Sequence, residues 1–194
     1  MAGIDEAGRG ALAGPVAAGV VIFPTQADLS AVLFGVRDSK QMSPQKRSEW
    51  VEHIKSVALD WGVGFATNAE IDKNGIIAAT HLAIQRALAK LHITPQHLLV
   101  DFLDLDHISL PQTALVKGDC RSLSIAAASV IAKTSRDALM IEYDHHYPGY
   151  GFAEHKGYAT PFHLDRIQQL GASPLHRLSF APLNQQKNYF ESSD

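Results

Sequence analysis

The 194-residue sequence predicts an α/β fold in which a mixed β-sheet is flanked by helices. Three observations carry this. A short opening strand (about Ala2 to Glu6) and the apolar, β-branched run Val16 to Phe23 are joined by too few residues for a crossover, so they pair antiparallel. Two further apolar runs, His97 to Phe102 and Thr113 to Val116, read as buried strands. Between and after them lie segments whose apolar residues recur at helical spacing.

Taken in order, Pro24 stops the second strand. Ser43 is a good N-cap and Pro44 a good first helical residue, so a helix runs from about Pro44 to Ala58 and buries Trp50, Val51, Ile54 and Val57. Trp61 to Ala66 reads as a third strand. Asn68 is expected to cap a short helical turn through Ile71, and after Gly75 a longer helix runs to Leu91, with Arg86 and Lys90 near its C-terminal end, where the macrodipole favours cations. Pro95 breaks it. The run after it delivers Asp101 at a strand tip, and after the Thr113 strand Lys117-Gly118-Asp119 leads into a long helix that Pro148 closes. Ala126, Ala127, Ala128 and Ser129 give that helix little bulk, so it can lie close to a strand. A last helix runs from about Pro161 to Leu170, and the tail after Leu183 is polar.

Composition narrows the classes. The net charge of −3 and pI near 6.3 argue against a non-specific nucleic-acid coat and leave room for a local basic groove. Cys120 is the only cysteine, which excludes an intrachain disulfide and a multi-cysteine zinc site and fits a reducing compartment. No apolar run reaches the ~20 residues that span a bilayer, and no signal core opens the chain, so a soluble cytoplasmic protein is expected. The absence of a coiled-coil pattern leaves a monomer as the default.

The chemistry concentrates in acids at strand ends. Asp5 and Glu6 close the first strand, Asp101 closes a later one, and Asp119 sits at a helix entrance. Side chains of neighbouring strand residues point to opposite faces, so Asp5 and Glu6 share a site only if the backbone turns, as Gly8 and Gly10 permit. Arg9 between them is a fork of donors suited to phosphate. Strand tips in such sheets meet at one edge, where ligands bind. Acids gathered there repel unless a hard cation neutralises them. Mg²⁺ uses few protein carboxylates and fills its shell with water and phosphate, and a pair of such ions ~3.5–4 Å apart suits phosphodiester hydrolysis. Bland readings compete. Taken alone, Asp119 is better read as a helix N-cap and Asp101 as an ordinary strand-end acid. The Asp101–Asp104–Asp106 loop lacks the glycine and glutamate of a calcium loop. Asp137 suits a structural ion pair or a cap, and a surface role suits most histidines, with His155 and His163 the candidates to lie near the site.

Gly3-Ile4-Asp5-Glu6-Ala7-Gly8-Arg9-Gly10, Asp38-Ser39-Lys40, Lys117-Gly118-Asp119, IAAASVIAK from Ile125 to Lys133, Arg136-Asp137 and His155-Lys156-Gly157-Tyr158 occur in that order. With this ordered set the chain resembles bacterial ribonuclease HII, from its first residues to about Ser179-Phe180-Ala181-Pro182. The resemblance implies a ribonuclease H-like fold with a C-terminal helical extension, a catalytic domain over residues 1–183 and a polar tail over 184–194. It implies Mg²⁺- or Mn²⁺-dependent hydrolysis of the RNA strand of RNA–DNA hybrids, and incision 5′ of ribonucleotides embedded in duplex DNA. Asp5, Glu6, Asp101 and Asp119 match the four active-site acids. Gly8, Arg9 and Gly10 match the motif that senses the ribose 2′-hydroxyl, partly through main-chain groups, and Tyr158 matches the tyrosine that packs on the sugar at the junction. Lys40 looks like a phosphate contact, and Lys156 or Lys133 adds to a positive groove.

The chain departs from the family pattern at three places: Phe102 stands where a glycine commonly follows the third acid, Ala11 where proline is frequent, and Gln41 where a second lysine is common. None removes an acid. Two rival readings remain: a non-catalytic hybrid-binding module, and another Mg²⁺-dependent nuclease on the same fold. Four retained acids oppose the first, since a pure binder gains nothing from negative charge facing phosphates. The Gly8–Gly10 motif with Tyr158 opposes the second, since the 2′-hydroxyl is what separates RNA from DNA.

Overall fold

A computed structural model describes residues 1–25, 28–36 and 42–184 of the chain. The opening strand β1 (Ala2–Ala7) pairs antiparallel with β2 (Val16–Ile22), Asp5 lying opposite Gly19. Strand β3 (Asp60–Ala66) adds antiparallel to the outer edge of β2. On the other side of β1, β4 (Leu98–Asp101) and β5 (Gln112–Leu115) add in parallel, giving the order β3-β2-β1-β4-β5. The sheet is therefore mixed, as the sequence predicts. Because β1 and β4 are parallel neighbours, with Ile4 opposite Val100, their next residues, Asp5 and Asp101, reach the same edge of the sheet.

Helices cover both faces. One carries α1 (Leu29–Val32), α2 (Pro44–Val57) and the long α5 (Leu123–His146); Leu33, Val51, Ile54, Val130 and Ile131 pack there with Val21 and Phe23. The other carries α3 (Asn68–Leu88), whose Ile71, Ala79, Ala83, Ile84 and Ala87 pack against Ile4, Val20, Leu98 and Val100. Short α4 (Gly118–Arg121) precedes α5. The C-terminal extension holds α6 (Phe152–His155) and α7 (Pro161–Leu170).

Local chemistry explains most boundaries. Ser43 caps α2 by accepting from the Lys46 N–H, with Pro44 next, as expected; within the helix Val51 and Ile54 are buried, while Trp50 and Val57 are only partly so. The expected cap at Asn68 is corrected by one residue. Thr67 is the N-cap and forms a reciprocal capping box with Glu70, whereas the Asn68 amide donates to the carbonyls of Pro174 and His176. The expected turn and the longer helix beyond it are one element with a break at Gly75, where φ is 81°.

The small-residue stretch of α5 does allow close approach. A Cβ placed on Gly3 would run into the Ser124 carbonyl, and one on Gly19 into the Ala128 carbonyl oxygen. Helix α5 therefore rests directly on the backbones of β1 and β2. Ser129 is brought down beside Asp5.

Candidate active site

Asp5 sits near the end of β1, and only 6% of its surface is exposed. Its carboxylate accepts from the Glu6 N–H at 2.7 Å and from the Ser129 hydroxyl. Burial, then the negative charge of Glu6, and less strongly that of Asp101, push its pKa well above the usual carboxylate range. The ionised form is thus held in an environment that disfavours it, and a cation is the natural relief. Asp101 at the tip of β4 accepts from the Gly118 N–H at 2.7 Å. That bond ties the strand tip to α4, and Asp119 follows in the first turn. Asp119 is not an N-cap. Lys117, in the left-handed region, occupies that position and makes no side-chain cap.

Past Ala7 the backbone turns at Gly8, whose φ of 90° suits glycine. A Cβ there would also overlap the Arg136 guanidinium. The turn opens onto a cleft of about 310 Å³ lined by Glu6, Gly8, Arg9, Gly10, Ser129 and Tyr158, among others. Glu6 is paired with Arg9, Oε1 to Nη1 at 3.0 Å. Arg9 therefore neutralises an acid as well as facing the cleft.

Lys133 and Tyr158 also line a second cleft of about 360 Å³, with Arg47, Ser48, Asp137 and Lys156 among its walls. There Asp137 is the structural ion-pair acid that the sequence suggests, bound to Lys133 at 2.6 Å and to Arg47 at 3.2 Å. Lys133 also stands 5.6 Å from the Tyr158 ring centre. Lys156, in the left-handed region, donates to the Ala153 carbonyl, and burial lowers its pKa. Lys40 and the rest of Asp38-Ser39-Lys40 lie outside the described residues.

Of the expected four acids, the backbone register sets Asp5 beside Asp101, and Asp119 follows closely through Gly118, while Glu6 turns to Arg9. Among the described residues, no three His, Cys, Asp or Glu side chains converge as a closed metal cage. The donor set nonetheless fits a hard divalent cation: it is all oxygen, Glu6 lines the cleft, and Asp5 is a buried carboxylate whose ionised form burial and the acids beside it disfavour. Mg²⁺ keeps several waters and needs few protein ligands.

The tyrosine turn rests on three buried histidines, which corrects the surface role that the sequence suggests for most histidines. His155, His163 and His176 are all buried. Main-chain donors and acceptors fix their tautomers. The Ser173 N–H donates to His176 Nδ1 at 2.8 Å, so His176 donates through Nε2 to His163 Nε2 at 3.1 Å. His163 in turn donates through Nδ1 to the Tyr158 carbonyl at 2.9 Å. His155 stacks on His163 at 4.2 Å, accepts from the Gly157 N–H and donates to the Tyr150 carbonyl. Burial lowers all three pKa values, to about 4 for His163 and His176. Ser129 was likewise missed; the one hydroxyl in an alanine run on a strand-facing helix was the available signal.

The ribonuclease HII family model matches residues 2–183. A ribonuclease HII of Synechococcus sp. (strain JA-3-3Ab) is 55% identical over 183 residues, covering 94% of this chain and 82% of that protein. The crystal structure of the ribonuclease H2 from Pyrococcus horikoshii OT3 superposes with a TM-score of 0.80 at 27% identity, covering 99% of each chain. A Bst-RNase HIII structure in complex with Mn²⁺ shares the fold at 19% identity, with a TM-score of 0.70 over 98% of this chain and 70% of that one. No described helix is long and apolar enough to cross a membrane.

Proposed function

From the premise that the chain belongs to the ribonuclease HII family, and so is a divalent-metal-dependent hydrolytic nuclease acting on RNA–DNA hybrids, we propose that it also incises 5′ of single ribonucleotides embedded in duplex DNA. The observation that carries this reading is the cleft shared by Glu6, the Gly8–Gly10 turn, Ser129 and Tyr158, with buried Asp5 bonded to two of its lining residues, Glu6 and Ser129. It offers main-chain groups and an aromatic ring together, next to acids suited to a cation.

In this reading Asp5 and Asp101 hold Mg²⁺ or Mn²⁺, with Glu6 and Asp119 completing or orienting its shell. The bound ion supplies Lewis-acid polarisation of the phosphate and lowers the pKa of water at the site. Gly8, Arg9 and Gly10 contact the ribose 2′-hydroxyl. Tyr158 packs on the adjoining sugar, a flat surface tolerant of sequence. Lys156, and Lys40 from outside the described residues, contact flanking phosphates.

Water forms the new P–O bond as the bond from phosphorus to the upstream 3′ oxygen breaks. That oxygen takes up a proton as the attacking water gives one up. The products are a 3′-hydroxyl and a 5′-phosphate on the ribonucleotide. The chain acts as a monomer, with the whole constellation contributed by one copy.

A labelled duplex with one ribonucleotide, beside an all-DNA control, tests the proposal with Mg²⁺ and with Mn²⁺. The expected result is one cut, 5′ of the ribonucleotide, lost in Asp101→Asn and absent from the control. Cutting elsewhere, equal cutting of the control or full activity in Asp101→Asn would overturn it.

A further inference from the structure

Two buried arginines outside the proposed chemistry face the same turn. Arg136 and Arg177 are each 0% exposed, and among the described residues neither has an ion-pair partner within salt-bridge distance. A cation buried without a counter-ion is costly, and an apolar side chain of similar volume avoids that cost. The reason for a guanidinium must lie in its fork of donors.

Three of the five N–H groups of the Arg177 guanidinium, one from each nitrogen, donate to main-chain carbonyls. Nη2 donates to Gly8 at 2.8 Å, Nη1 to Arg9 at 2.8 Å and Nε to Gly14 at 2.9 Å. Its own N–H adds a bond to Leu12 at 2.8 Å. In a trans peptide the C=O and the following N–H point in opposite directions. Drawing the Gly8 and Arg9 carbonyls inward therefore turns the N–H groups of Arg9 and Gly10 outward, toward the cleft those residues line. Among the described residues neither N–H has an acceptor. Space is open there too, since a Cβ on Gly10 would meet nothing within 4 Å.

Arg136 does the complementary work. It donates to Ala13, Pro15 and Lys156, so one guanidinium joins the segment after the glycine turn to the turn that carries Tyr158. Its Cζ lies 5.5 Å from the Tyr158 ring centre.

We propose that Arg177, reaching back from the C-terminal extension, is a positioning residue that sets two peptide planes so that the Arg9 and Gly10 N–H groups form a fixed donor pair for the ribose hydroxyl. This deepens the reading of the Gly8–Gly10 turn given above and rests on it. Burial and the nearby Arg136 push the Arg177 pKa down to about 9, which leaves the charge, and so every donor, in place at neutral pH.

The test compares wild type with Arg177→Lys and Arg177→Ala on two substrates, a duplex with one ribonucleotide and a long RNA–DNA hybrid, with folding checked by circular dichroism and thermal unfolding. A lysine keeps the charge and can satisfy one carbonyl in place of three. Arg177→Lys is expected to stay folded and to lose at least about tenfold more kcat/KM on the single-ribonucleotide duplex than on the hybrid, where many other contacts contribute. Millimolar guanidinium is expected to restore part of the loss in Arg177→Ala. Equal losses on both substrates, or no rescue, would overturn the positioning role and leave a structural one. If wild type itself fails to cut at the single ribonucleotide, the functional reading fails instead. Should the variants not fold, amide exchange of the wild type decides: fast exchange at Arg9 and Gly10 beside protected Leu12 and Gly14 is expected, and protected Arg9 and Gly10 amides would refute the geometry.

Discussion

Acidification from pH 7 to pH 5 should destabilise this protein through the histidine chain under the tyrosine turn. His163 and His176 face each other through their Nε2 atoms at 3.1 Å, and one N–H already fills the gap. Protonating His163 puts a second N–H into that gap, and protonating His176 puts one at Nδ1 against the Ser173 N–H that it accepts. The folded pKa values are about 4, against about 6.5 for a free imidazole. A histidine with a depressed folded pKa takes up its proton more readily when unfolded. Its contribution is therefore intact above pH 6.5 and is lost as pH falls from there toward 4. At pH 5, linkage gives about 2 kcal/mol for one such histidine and about 4 kcal/mol as an upper bound for the pair. The assay is urea unfolding at pH 7, 6 and 5 for wild type and His163→Asn. With a urea slope of about 2–3 kcal/mol/M, a midpoint shift of roughly 1–2 M is expected for wild type. Asp5, whose raised value acts with the opposite sign and offsets part of the loss, is common to both proteins, and the carboxylates with lowered values do not confuse this window. Glu70, held down to about 2 chiefly by Arg86, and Asp60, lowered mainly by backbone N–H groups, titrate below it. His163→Asn starts from a lower stability at pH 7 but should show a flatter pH dependence. Equal slopes for the two proteins would refute the argument.

Three further outcomes follow from the geometry. Gly19→Ala places a methyl against the Ala128 carbonyl oxygen, backbone against backbone. Overpacking of this kind costs about 1–3 kcal/mol, measurable as a lower urea midpoint; an unchanged midpoint would mean that α5 moves away freely. Phe102 holds a left-handed φ of 61°, and the residue is 62% exposed. Phe102→Gly relieves about 1–2 kcal/mol of backbone cost and gives back roughly 0.5–1 kcal/mol as unfolded-chain freedom, so stability should hold or rise slightly. A loss above about 1 kcal/mol would show that the ring packs. Asp5→Asn removes a charge that burial, Glu6 and Asp101 all disfavour. In chelator its melting temperature should equal or exceed that of wild type, while the upward shift of wild type on adding Mg²⁺ should vanish; a retained Mg²⁺ shift would remove Asp5 from the proposed ligand set.

What could be read from the residues was set by how local each cause is. Ser43-Pro44 starts α2 because a cap acts over three residues, and the alanines of α5 announce a close approach because small side chains leave no alternative. Asp101 ends a short apolar run, and that run can only be a buried strand carrying its acid to the tip. Asn68 shows where this reasoning stops. It looks like a cap, but its amide serves two carbonyls more than a hundred residues away, and Thr67 beside it takes the cap. The Phe102 position explains itself only in three dimensions: the backbone there is left-handed, which accounts for the glycine common in the family and makes the phenylalanine a strained exception.

The same contrast divides the candidate site. Its acids and glycines were legible because their chemistry is carried by residue type and by position at a strand end. The groups that hold them still were not. Arg136, Arg177, His163 and His176 are residue types expected at the surface or half-buried, and each is buried here because its partners are carbonyls or rings from distant segments. All four converge on two short turns, the one at Gly8–Gly10 and the one at Lys156–Tyr158. The sheet places the acids, Arg177 of the C-terminal extension fixes the glycine turn, and Arg136 of α5 ties the segment after that turn to the tyrosine turn. On this division, truncating the extension should cost substrate discrimination through the two turns, while the register of Asp5 against Asp101 is fixed by the sheet itself.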